Sequence, residues 1–234
     1  MSDLSRYPPG IGLALARHVL DNGHLLVATP RNPAKTPELV KEVEANGNGS
    51  RWLTLDVDDP EAAGRLVRRL EGEDGISINV LVNNAGFAIL QTVEHAVLPG
   101  MRRRRFGVIV YISTGSGLEA RPSMSNYGSA KAAGDALIKT LAKEVAAFNI
   151  RAFYASLGAF QTKMGAPSGE GDPARATKAI FDLATAQGSD GKGREAKTLL
   201  PLGRDAAVRA QEVRDSLDHA LDVFGDVANN VRCD

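Results

Sequence analysis

Short apolar runs alternate with stretches of helical periodicity, and that alternation limits the possible folds more than any other feature. HLLVAT (24–29), RWLTLDV (51–57), INVLVNN (78–84), FGVIVYIS (106–113) and IRAFYASLG (150–158) are short, apolar and bounded by turn residues. They read as buried strands. Between them the apolar spacing predicts helices over 11–22, 36–46, 60–71, 90–104 and 125–148. A further helix near 173–187, a weak strand at AKTLLPL (196–202) and an amphipathic stretch over 204–224 complete the chain. Strand and helix in strict alternation require crossover connections, hence a parallel sheet with helices on both faces. The expected fold is therefore α/β, a Rossmann-like doubly wound sheet, read as a single domain over residues 1–234. Only GAPSGEGDP (165–173) and AQGSDGKG (186–193) have the composition of flexible loops.

Composition narrows the function classes. Lys plus Arg (28) equals Asp plus Glu (28), so no net charge favours nucleic acid or an anionic membrane. The single cysteine, Cys233, excludes an internal disulfide framework and fits a reducing compartment. No apolar run approaches the roughly 20 residues that span a bilayer, and no signal-peptide core opens the chain. The expectation is a soluble cytoplasmic protein acting on a small molecule, without nucleic-acid or membrane partners. The four histidines form no metal-ligand spacing. RRRR (102–105) reads as the solvated end of a helix, where cations favourably oppose the dipole.

In an open α/β sheet, ligands bind beyond the carboxyl ends of the strands. Several polar groups stand there. NNAG (83–86) follows the third run, and its small residues let a ligand approach the backbone; a plain strand-to-helix turn would look the same. Ser113 and Thr114 end the fourth run, where a hydroxyl could bond a substrate oxygen. Tyr127 and Lys131 of YGSAK lie one helical turn apart on one face. A phenol ionises near pH ~10, too high for proton transfer at neutral pH. A neighbouring ammonium favours the phenolate, so Tyr-x-x-x-Lys is a rational acid/base unit, although a surface pair has the same spacing. Arg31 ends the first run, where a guanidinium suits a phosphate ester or merely solvent. Asp56, with Val57, ends the second and can bond an adenine amino group or serve as an acid near a helix N-terminus. Thr162 in SLGAFQT can bond a ligand amide.

Taken together, GIG (10–12), NNAG, YGSAK and LAKEVAAFNIRAFYASLGAFQT (141–162) resemble the short-chain dehydrogenase/reductase family, from about Gly10 to the C-terminus. The resemblance implies an NADP(H)-dependent oxidoreductase working on a carbonyl or alcohol of a small or medium apolar substrate. Tyr127 would be the general acid/base. Lys131 would favour the phenolate and bind the nicotinamide ribose, and Thr114 would take the place of the family's serine, with Ser113 in reserve. Gly10, Ile11 and Gly12 would seat the pyrophosphate, and Arg31 would favour NADP over NAD. Asp56 and Val57 would hold the adenine, Asn83, Ala85 and Gly86 would line the adenosine side, and Thr162 would touch the carboxamide. A homo-oligomer through helix 125–148 and its predecessor would follow the family's habit.

Four departures qualify this. The family's first loop glycine falls on Arg6 or Ser5, and Pro8 and Pro9 remove two amide donors. MSDLS is too short and polar for a central first strand, so that strand is expected to be missing. About twenty residues separate Gly86 from Phe106, too few for the family's helix bearing a further catalytic Asn. Thr114 replaces a serine, and Leu157 a proline. A non-redox enzyme on the same scaffold, a silent homologue, or an incomplete gene product are the alternatives these departures leave open.

Overall fold

The computed structural model describes residues 10–84, 90–119, 121–162 and 169–230. Elements run in the order α1 (Ile11–Asp21), β1 (Val27–Ala28), α2 (Pro37–Glu44), β2 (Arg51–Trp52), α3 (Ala62–Arg68), β3 (Val80–Asn83), α4 (Leu90–Arg104), β4 (Gly107–Thr114) and α5 (Gly115–Leu118). Then come α6 (Ser125–Val145), β5 (Ile150–Leu157), α7 (Pro173–Thr185), α8 (Gly188–Gly191), β6 (Leu199–Leu202) and α9 (Arg204–Asn229). Every ladder is parallel. This is the Rossmann-like α/β architecture expected from the alternation.

The sheet comes in two parts. β3, β4, β5 and β6 form one sheet in that order, whereas β1 and β2 pair only with each other. Among the described residues no strand joins the two sets, so β1 and β3 each keep one edge without a ladder partner. The consequence shows in the strands themselves. HLLVAT and RWLTLDV were expected as full buried strands, yet only two residues of each are extended, and all four are half-buried. A strand paired on one side retains half its backbone bonds and little of its apolar cover. β4 and β5, paired on both sides, each run eight residues, and nearly all of these are buried.

Alternate side chains of β4 and β5 feed two cores. Val108, Val110, Ile112, Phe153 and Ala155 pack with α1 and α7 on one face. Ile109, Tyr111, Ala152 and Tyr154 pack with α4 and α6 on the other. Side chains along a strand alternate faces, so the parity of a residue decides which helix it meets. Ser113 therefore shares the α6 face with Tyr111, and Thr114 does not.

The arginine run does more than end a helix. Arg104 donates to Glu71 at 2.9 Å and to the Ile78 carbonyl at 2.8 Å, Arg105 donates to the Ala147 carbonyl, and Arg102 lies over the Phe148 ring. Arg103 stands 3.8 Å from Glu71, so all four tie the end of α4 and the turn after it to their neighbours.

Candidate active site

The carboxyl end of β4 and the first half of α6 form the most polar buried region of the described chain. α6 carries Tyr127, Lys131 and Asp135 at intervals of four, one inclined stripe on the helix. Lys131 is only 5% exposed. Its Nζ donates to the Ile112 carbonyl at 2.8 Å and sits 4.8 Å from the centre of the Tyr111 ring. An ammonium has three donors, so the strand carbonyl leaves two for other partners. Burial pulls the Lys131 pKa down, and the Asp135 charge opposes that.

Tyr127 is half-buried at the head of this stripe. Its phenol acts electrostatically on Tyr111, whose own pKa is raised chiefly by burial and then by Asp135 and Tyr127. Tyr111 thus interacts with both residues: Lys131 stands over its ring, and Tyr127 acts on its phenol electrostatically. Close backbone contact holds this geometry. A side chain at Gly128 would come within 2.8 Å of the Ser116 carbonyl oxygen. One at Gly117 would come within 3.2 Å of the Ala132 nitrogen. The small residues of YGSAK and STGSG let α5 lie flat on α6.

The two hydroxyls after β4 separate. Thr114 is half-buried, and its Oγ1 accepts from the Ser116 amide at 3.4 Å as the N-cap of α5. Ser113 is 3% exposed, its hydroxyl shut in the interior beside Asp135. Of the two, only Thr114 keeps partial exposure at the sheet end.

The glycine turn meets the NNAG strand end. A Cβ at Gly12 would fall 2.5 Å from Asn84 Nδ2, whereas one at Gly10 would meet nothing. The Ile11 side chain is core, so this residue can offer a ligand only its amide. Among the described residues α1 has neither a side-chain cap nor an acid in its first turn. Asn83 is committed elsewhere. It is 7% exposed and donates to Glu94 Oε1 at 3.0 Å. Ala85 and Gly86 lie outside the described residues.

Arg31 is exposed and pairs loosely with Asp56 (3.8 Å) and Asp58 (3.5 Å). Asp56 also caps its own turn by accepting from the Asp58 amide, with Val57 half-buried between them. Thr162 stands half-buried in the bend after β5. The structure thus gathers Tyr127, Lys131 and Thr114 at one sheet end and Gly10–Gly12 with Asn84 beside it. Arg31, Asp56 and Val57 remain a separate group at the ends of β1 and β2.

Glu94, Tyr111 and Asp135 escaped the reading of the sequence. Each lies on a core-facing position, where apolar residues were expected. Glu94 is 3% exposed, and burial raises its pKa despite the bond from Asn83. Asp135 is 2% exposed with both oxygens unpartnered, and burial pushes its carboxyl up to about 6. The signal was a carboxylate one turn beyond Lys131, legible only once α6 was known to face the sheet there.

Comparison with known proteins places this arrangement. The short chain dehydrogenase family model matches residues 8–96 and 87–173, well over half the chain. The chain belongs to the short-chain dehydrogenase family. It is 32% identical over 177 residues to 2,3-dihydro-2,3-dihydroxybenzoate dehydrogenase of Bacillus subtilis, covering 66% of this chain and 67% of that one. It is 30% identical over 184 residues to oxidoreductase claN of Passalora fulva, covering 68% and 82%. Among solved structures, a short-chain dehydrogenase from Streptomyces avermitilis superposes with a TM-score of 0.83 at 26% identity, over 96% of both chains. The superposition covers nearly the whole chain, so the division between the two sheets still leaves a short-chain dehydrogenase fold. Among the described residues no helix of this short-chain dehydrogenase is long and apolar enough to cross a membrane.

Proposed function

We propose that this chain is an NADP(H)-dependent oxidoreductase that interconverts a carbonyl and an alcohol on a small or medium apolar substrate. One observation carries the reading: Lys131 is buried, tied to the end of β4 and set over Tyr111, one helical turn from Tyr127. A lysine is seldom buried without a task, because burying its charge is costly.

The residues present fit a nicotinamide dinucleotide. The amides of Gly10–Gly12 at the start of α1 suit a pyrophosphate at a helix N-terminus, and Gly12 has room for no side chain because Asn84 fills that space. Lys131 has two donors left for ribose hydroxyls. Arg31 faces solvent with only long ion pairs, so a 2′-phosphate can displace Asp56 and Asp58. Asp56 and Val57 would border the adenine, the backbone of Asn83 with Ala85 and Gly86 the adenosine, and Thr162 the carboxamide. A bound nicotinamide supplies the hydride donor or acceptor. Tyr127 then holds the proton exchanged with the substrate oxygen, Thr114 Oγ1 bonds that oxygen, and Lys131 keeps a positive charge beside the phenol.

NADPH titration tests the reading. A ligand that binds only the folded chain at a hundred times its Kd stabilises it by about 2.7 kcal/mol. NADPH should raise the melting temperature and quench Trp52, the sole tryptophan. Tyr127→Phe should keep that shift and lower carbonyl reduction by at least ~100-fold. If neither NADPH nor NADH stabilises the chain, the redox reading fails.

A further inference from the structure

α6 buries two opposite charges one turn apart. Lys131 is 5% exposed and Asp135 is 2% exposed. The proposed acid/base chemistry uses Lys131 and leaves Asp135 without a task. Yet an unpaired carboxylate is among the costliest groups to bury, and neither Asp135 oxygen has a hydrogen-bond partner among the described residues. Helix side chains lean back toward the N-terminus, so each lies over the turn before its own. For Asp135 that turn begins at Lys131. The packing of α5 marks the spot. A side chain at Gly117 would come within 2.9 Å of Asp135 Oδ2 and within 3.3 Å of the Lys131 carbonyl carbon. One point on α5 thus touches both the Asp135 carboxylate and the turn that carries Lys131.

The other groups around Asp135 do not replace it. Tyr111 from β4 and Tyr154 from β5 face it, and burial first, then the Asp135 charge, raises the pKa of both phenols. Ser113 on β4 favours its charged form. Glu94 on α4 acts on Tyr111. α5 is built of Gly, Ser and Leu and adds no charge. Lys139, one turn further along α6, is exposed, with its Nζ 5.5 Å from the centre of the Tyr154 ring. Water screens that ammonium, whereas Lys131 and Asp135 act on each other through the protein, where the same charges interact several times more strongly. Burial alone drives a lysine to give up its proton. For Lys131 the Asp135 charge opposes that loss.

We infer that Asp135 is a positioning residue for the proposed acid/base pair: its buried carboxylate is the counter-charge that keeps Lys131 an ammonium at the end of β4, one turn from Tyr127. This role rests on the proposed redox reading, because a neutral amine would give the phenol no charge to lean on. The neutral Asn would suit the fold better and the ammonium worse.

Two measurements on the full chain test the role. Carbon NMR of the lysine Cε atoms, with Lys131 assigned through Lys131→Arg, follows the ammonium without turnover. In Asp135→Asn, Lys131 should lose its proton at a pH lower by about one unit or more than in the wild type. The second measurement is the pH profile of kcat/KM for NADPH-dependent reduction of benzaldehyde, taken as the probe carbonyl. Its alkaline limb should move down by a similar amount in Asp135→Asn, and the gap should narrow below about pH 6, where Asp135 itself takes up a proton. Asp135→Glu, which keeps the charge, should return both readings toward the wild type. A merely structural Asp135 predicts the opposite sign, with activity following the higher stability of the Asn variant. Unmoved titration of Lys131, or an alkaline limb that stays in place, would overturn the role alone. A wild type that NADPH does not stabilise would sink the redox reading and take the role with it.

Discussion

At the residue scale, Asp135 separates a structural cost from a catalytic task. Its folded pKa of about 6 lies above the ordinary value of 3.8, so the folded chain binds this proton more tightly than the unfolded chain. Below pH ~3 the group is neutral in both states and carries no penalty. Between about pH 4 and 6 the unfolded chain ionises while the folded chain keeps its proton, so stability falls by about 3 kcal/mol, and the loss is complete above pH ~6. Asp135→Asn should therefore leave stability unchanged near pH 3 and raise the melting temperature by roughly 5 °C or more at pH 8. Melting curves at the two pH values decide it, and an equal shift at both would refute the account. Arg31 gives a second prediction. Arg31→Ala should weaken NADPH binding at least ~10-fold while changing NADH binding little, since the guanidinium has only a 2′-phosphate to gain. Comparative fluorescence titration measures that split.

At the element scale, α5 and α6 show how much of the site was legible. The periodicity over 125–148 gave the helix, and Tyr127 and Lys131 on one turn followed from their spacing. What the spacing did not reveal is that the α5 backbone lies against the helix. Gly128 stands there because the Ser116 carbonyl leaves no space for a methyl. Gly128→Ala should cost about 1–3 kcal/mol by pushing α5 off α6, seen as a lower denaturant midpoint, with activity falling further than stability because Thr114 caps α5. The choice between Thr114 and Ser113 also lay outside local reading. Adjacent residues on a strand face opposite layers, and only the register with β5 and the packing of α6 show that Ser113 is sealed inside. A charged residue on a core face, such as Glu94 or Asp135, contradicts the apolar pattern by which core faces are found, so these two passed unnoticed.

At the scale of the whole molecule, stability follows the divided sheet. β4 and β5 have ladder partners on both sides and helices on both faces, whereas β1 and β2 hold two residues each. Amides of Ile109–Ile112 and Ala152–Ala155 should exchange hydrogen with protection close to the global unfolding free energy. Those at Arg51 and Leu53, which donate to the carbonyls of Leu26 and Ala28, should exchange faster by two or more orders of magnitude. Native-state exchange read by mass spectrometry tests the contrast, and uniform protection across the two sheets would count against it. The order of strands and helices, the parallel sheet and the Tyr127–Lys131 pair were all determined by the sequence alone. Hydrophobic periodicity and helical spacing are local properties, and each can be read within a dozen residues. The burial of Ser113 and Asp135, the meeting of Gly12 with Asn84 and the exposed face of α9 were decided only by the tertiary structure. Each depends on which distant segment arrives opposite, and no local pattern carries that information.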